Sequence, residues 1–131
     1  MNEVAIIGCL RGALPGLAGI WLFGSQAGGD AGPASDVDLA VLVDGKANPL
    51  DLWHIAAELA TIAGRPVDLV DLRDASTVMQ SQIVTKGRRL WSRDAGPALY
   101  ELAILREKMD FDVARAGLMA DIARTGKIHE R

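Results

Sequence analysis

Asp36 and Asp38 stand one valine apart at the head of an apolar run, "SDVDLAVLVD", where a strand would ordinarily carry aliphatics. On a strand, residues two apart project from one face with Cα atoms roughly 6.5–7 Å apart, so the two carboxylates point the same way. They repel each other unless a cation sits between them. All-oxygen ligation by a few aspartates suits Mg²⁺, which keeps several waters and completes its shell with substrate phosphates. Zinc chemistry is disfavoured by the ligand inventory: His54 falls in a helical segment without a partner motif, His129 lies in the tail, and Cys9 is the only cysteine.

A third carboxylate would allow two metals, roughly 3.5–4 Å apart, to hold the attacking and leaving oxygens of a phosphoryl displacement. "PVDLVDL" offers Asp68 and Asp71. Their odd spacing puts them on opposite faces of a strand, so only one can join Asp36 and Asp38, and spacing alone does not choose. Upstream, Gly24-Ser25 directly follows another apolar run. A turn there leaves backbone N–H groups and the Ser25 hydroxyl to hold a triphosphate, and glycine lets a phosphate approach closely. "SDVDL" or Gly-Ser alone reads equally well as a turn. The ordered set of strand, Gly-Ser, loop, same-face aspartate pair and a later Asp-bearing strand favours a metal–nucleotide site.

The elements that must hold these residues alternate helix and strand. Helical spacing runs from Val4 to Leu14 and ends at "LPG"; Leu17–Phe23 and Val37–Val43 read as strands, the latter stopped by the turn formers of "DGKANP". Leu39, Val41 and Val43 form one buried row, while Ala40 and Leu42 continue the aspartate row. A helix is expected over Asp51–Ala63 with Gly64 as its cap, then a strand over Val67–Leu72, a helix over Ala75–Lys86, a short edge strand at "GRRLWS", and one long helix from Ala95 to Thr125 closed by Gly126. The pattern predicts an α/β or α+β fold, a small mixed sheet flanked by helices, in a single domain spanning 1–131.

Composition bounds the function. The net charge is −3 and the basic residues are scattered, a poor footprint for direct nucleic-acid binding. Arg11 and Pro15 interrupt the apolar N-terminal stretch and Glu3 stands where a signal peptide would be basic, so neither a signal nor a membrane span is expected. Cys9 sits in an apolar context that suits a packed thiol, and a reducing, cytoplasmic home is the expectation. Trp21, Trp53 and Trp91 read as core or helix–sheet packing.

Gly24-Ser25, ten intervening residues and Asp36-Val37-Asp38 resemble the signature of the DNA polymerase β-like nucleotidyltransferase superfamily. The short chain, the "RPVDLVDL" strand and the long C-terminal helix are similar to its minimal nucleotidyltransferase branch, the MntA-type antitoxins of HEPN/MNT toxin–antitoxin pairs. This resemblance implies a palm-like fold, two Mg²⁺ held by Asp36, Asp38 and Asp68, and ATP held by Gly24 and Ser25. It also implies transfer of AMP to a tyrosine of a HEPN ribonuclease toxin, which silences the toxin. One departure stands out: where the family commonly reads "GSRARG" this chain reads "GSQAGG", so Gln26 and Gly28 replace two arginines that would offset triphosphate charge. That change favours a competing reading, an antitoxin that inhibits by contact alone. A third reading is nucleotide transfer to a small hydroxylated molecule, for which little chain is left to build an acceptor domain.

The tail supplies a separate expectation. Leu102, Leu105, Met109, Val113, Ala116, Ala120 and Ala123 form one apolar stripe at helical spacing, and Ile104, Phe111, Leu118 and Ile122 form another nearly opposite. A surface helix needs one apolar face, so the second is expected to dock a partner unless the protein's own sheet, helices or a second copy covers it.

Overall fold

The computed structural model describes residues 1–24 and 35–125. Along these residues the elements are α1 (Glu3–Ala13), β1 (Leu17–Phe23), β2 (Val37–Val43), α2 (Pro49–Ala63), β3 (Val67–Asp71), a 3-10 turn (Leu72–Asp74), α3 (Thr77–Lys86), β4 (Arg88–Ser92) and α4 (Gly96–Thr125). The strands form a mixed sheet in the order β3-β2-β1-β4, with β1 antiparallel to both β2 and β4, and β2 parallel to β3. The parallel pair is joined through α2, the crossover that a parallel connection requires.

Local sequence accounts for most boundaries. Asn48 caps α2, its side chain accepting from Leu50 N at 2.9 Å, and Pro49 occupies the first turn, where a missing N–H costs nothing. Gly64 ends α2 in the left-handed region with φ +69. Strand β3 stops one residue earlier than the apolar pattern suggests because Asp71 turns inward and caps the 3-10 turn, accepting from Arg73 N at 3.0 Å. Ser76 then caps α3, accepting from Met79 N at 3.1 Å, which places that helix's start at Thr77.

Both faces of the sheet are covered, so both residue rows of β2 are buried rather than one. Val37, Leu39, Val41 and Val43 join Ile6 and Leu10 of α1 and Leu52, Ile55 and Leu59 of α2 in one core cluster. On the other face Ala40 and Leu42 pack with Trp21, Leu72, Ile83 of α3 and Ile104 of α4. Trp21 is anchored there by its indole N–H, which donates to Glu101 Oε1 at 2.8 Å, and Glu101 also pairs with Arg89 at 2.9 Å.

One expectation needs correction. Trp53 is not a packing residue: the inward stripe of α2 is Leu52, Ile55 and Leu59, and Trp53, about 100° round the helix from Leu52, stands 71% exposed. The distal part of the long helix keeps apolar residues uncovered, as the expectation of a partner-facing stripe allows. Ile104 is buried, whereas Met109, Phe111, Val113, Leu118 and Met119 are all exposed. No helix among the described residues is long and apolar enough to cross a membrane.

Candidate active site

The C-terminal end of β1 and the N-terminal ends of β2 and β3 lie at one end of the sheet. There Phe23 is paired with Asp38 across the antiparallel ladder, and Asp38 is paired with Asp68 across the parallel one. Neighbouring strands lie about 4.8 Å apart, so the direct pairing stands the two carboxylates side by side. Asp36 precedes Asp38 by two residues at the mouth of β2 and is exposed. Val70 packs against the Trp21 cluster and Leu69 against the opposite one, which places Asp68 in the same row as Asp38 and Ala40.

Asp71 is spent elsewhere. It is 6% exposed, and its carboxylate accepts from Ala47 N at 3.1 Å and Arg73 N at 3.0 Å. The opposite-face geometry expected for Asp68 and Asp71 is therefore present, and the long-range register of β3 on β2 separates the two.

Burial raises the Asp38 carboxyl above the ordinary carboxylate range, and the charges of Asp68 and then Asp36 push it further the same way. Among the described residues no Lys or Arg forms an ion pair with any of the three aspartates. Gly24 turns the chain away from β1 with φ +70, and its missing side chain leaves room for Asp38: a Cβ there would collide with Asp38 Oδ2 and lie 3.2 Å from its Cγ. Ser25, Gln26 and Gly28 lie outside the described residues.

Among the described residues no group of three or more His, Cys, Asp or Glu stands close enough together to hold a metal ion by itself. The donor set still fits a hard cation. It is all oxygen, partly solvent-facing, and carries concentrated negative charge with no basic counterpart among the described residues, the pattern expected where waters and phosphates supply the rest of a Mg²⁺ shell.

Next to Asp68 the edge of β3 and α2 border a half-open cavity of about 430 Å³. Trp53, Asp68 and Asp74 line it together with Leu52 and Val67. Sequence reasoning did not find this chamber, since Trp53 and Asp68 are 15 positions apart in the chain and only the β3 register brings them together.

A family model described as polymerase beta, nucleotidyltransferase, matches residues 9–96, a span that contains the strand ends, Gly24 and all three aspartates. The chain belongs to this nucleotidyltransferase family. Within it, the chain is 36% identical over 122 residues to the protein adenylyltransferase MntA of Shewanella oneidensis, covering 93% of this chain and 88% of that protein. The crystal structure of a toxin–antitoxin with AMP-PNP contains a chain that matches this nucleotidyltransferase with a TM-score of 0.80 at 36% identity, covering 94% of this chain and 99% of that one. A structure of the tri-AMPylated Shewanella oneidensis HEPN toxin in complex with its MNT antitoxin matches with a TM-score of 0.73 at 34% identity, covering 93% and 96%. The palm-like nucleotidyltransferase fold expected from the sequence is thus the fold observed.

Proposed function

We propose that this nucleotidyltransferase is the antitoxin of a HEPN ribonuclease toxin and moves AMP from ATP to a tyrosine hydroxyl of that toxin, neutralising it in the cytoplasm. The observation that carries the reading is the side-by-side pair Asp38 and Asp68, with Asp36 two residues before, in a chain 36% identical to a protein adenylyltransferase along 93% of its length.

Asp36, Asp38 and Asp68 would hold Mg²⁺, two ions where all three carboxylates take part; bound there, the metal would neutralise triphosphate charge and polarise the α-phosphoryl group. The residues of the chain do the rest. Gly24 and Ser25, the family's Gly-Ser pair, would hold the triphosphate and orient it for in-line attack. Asp68, the most outward of the strand-borne carboxylates, accepts the proton of the acceptor hydroxyl. The acceptor oxygen bonds to the α-phosphorus, the bond from that phosphorus to the α–β bridging oxygen breaks, and pyrophosphate leaves with the electron pair.

The exposed distal half of α4 suits the partner-facing element. Phe111 and Val113 are 67% and 70% exposed in the free chain, apolar surface of the kind an interface covers. ATP labelled in turn at its α and γ phosphorus tests the reaction directly. Label from the α position should stay on the toxin and label from the γ position should leave as pyrophosphate; retention of γ label would instead mark a kinase.

A further inference from the structure

Among the described residues strand β3 is an edge strand, hydrogen-bonded to β2 on one side, so the backbone groups of alternate residues along its outer side have no partner strand there. Proteins ordinarily blunt such an edge with lysine, proline or a covering element. Here the edge instead borders the 430 Å³ chamber. Leu52, Val67 and the outward-standing Trp53 give it apolar lining, and Asp68 and Asp74 add acid. Lys46 lies 3.4 Å from Asp74 with both side chains substantially exposed, a pair of little strength.

We propose that this edge is the acceptor subsite: an extended, basic segment of the protein being modified adds alongside β3 as a further strand, lays an apolar or aromatic side chain against Trp53, and so brings its hydroxyl to Asp68. Three features favour this occupant. Strand addition satisfies the open backbone groups with sequence-independent hydrogen bonds, while pockets for alternate side chains give selectivity. The carboxylates at the rim complement lysine or arginine in the incoming segment. The chamber is also continuous with the carboxylate pair through Asp68, which belongs to both. The proposal rests on the nucleotidyltransferase reading of the same site and assigns its acceptor side.

Two independent readouts test it, with a tyrosine peptide flanked by lysines and its counterpart flanked by glutamates as probes. Amide hydrogen exchange needs no catalysis: millimolar lysine peptide should slow exchange across Val67–Asp71, and the glutamate peptide should not. Transfer kinetics then separate binding from chemistry. Trp53→Ala should raise KM for the lysine peptide about tenfold with kcat kept, as for loss of one aromatic anchor. Asp74→Lys should raise KM for the lysine peptide and lower it for the glutamate peptide. Absence of β3 protection, or an unchanged KM in both variants, overturns the subsite. Protection that appears without peptide and grows with protein concentration would assign the edge to a second copy and overturn it as well. If the wild-type protein transfers AMP to no acceptor, the nucleotidyltransferase reading fails, and the exchange experiment still decides what binds the edge.

Discussion

Gly24 and Asp38 share a space that has room for only one side chain: the Asp38 carboxylate lies where a Cβ on residue 24 would be, and Gly24 takes the left-handed backbone conformation at φ +70 beside it. A glycine that can be read from sequence as making room for a phosphate is equally a glycine that makes room for a carboxylate. Gly24→Ala should therefore do two things. Left-handed backbone costs an alanine about 1–2 kcal/mol of stability. Displacement of Asp38 should in addition lower AMP transfer by at least about a hundredfold, the scale of losing a positioned catalytic group. Gly45→Ala is the control, since φ is +73 there and nothing lies within 4 Å of the added carbon. It should cost stability alone, which thermal melts and transfer rates measured on both variants will separate.

Asp68 and Asp71 should part company under mutation. Asp71→Ala strips Ala47 N and Arg73 N of their acceptor in a buried place, with an expected loss of about 1–3 kcal/mol. Asp68→Ala should leave the melting temperature within a degree or two of wild type, a shift of under about 0.5 kcal/mol, while transfer collapses. The reverse pattern would exchange their roles.

Charge crowding at the site predicts a stability–function conflict. Asp38→Asn removes one of three neighbouring carboxylates and should raise the melting temperature of the metal-free protein at neutral pH while abolishing transfer. Mg²⁺ should stabilise the wild type and not the variant, and chelation with EDTA should reverse the gain. A wild-type melting curve indifferent to Mg²⁺ would contradict the metal assignment.

Three carboxylates away from the site support stability against acid. Arg93 pairs with Asp44 and Asp94, and Arg88 with Glu3. The Arg93 guanidinium holds the Asp44 carboxyl low; the Gly96 backbone N–H, then Arg93, does so for Asp94; Arg88 does so for Glu3. Their folded-state pKa values lie below their unfolded ones, so the unfolded chain binds more protons as the solution is acidified. The stabilisation is complete above the unfolded carboxylate range, about 3.9–4.3, and is lost as pH falls through the lower folded values. Arg93→Met should flatten the acid limb of the melting-temperature profile by lowering its neutral plateau slightly, since exposed pairs contribute little, and should change nothing once the carboxylates are protonated.

The outer half of α4 should be replaceable without harm to the fold. Phe111→Glu and Val113→Glu alter residues that are mostly exposed in the free chain and should leave the melting temperature unchanged. Co-purification with the toxin should weaken if this face docks it.

What could be read from the residues alone followed the range of the interactions that decide each feature. The bounds of β1 and β2 match the apolar runs because both strands are defined by local alternation and flanking turn formers. The start of α2 was less legible: "ANP" reads as a turn, and the same Asn48-Pro49 pair is a helix cap and first turn. Strand parity separated Asp68 from Asp71 but could not choose between them, since that choice depends on the register of β3 against β2, a contact between segments about 30 positions apart. Helical periodicity identified the stripes of α4 but not what covers them, and it placed Trp53 in a helix without revealing that it stands beside Asp68 above an open strand edge.

The most direct test of the central claim is intact-mass spectrometry of the partner toxin after incubation with this protein, ATP and Mg²⁺, beside the Asp36→Ala/Asp38→Ala double variant. Transfer to the toxin predicts mass gains in whole AMP units with the wild type and none with the double variant. An unmodified toxin that is nevertheless inhibited, or modification that persists in the double variant, would contradict it.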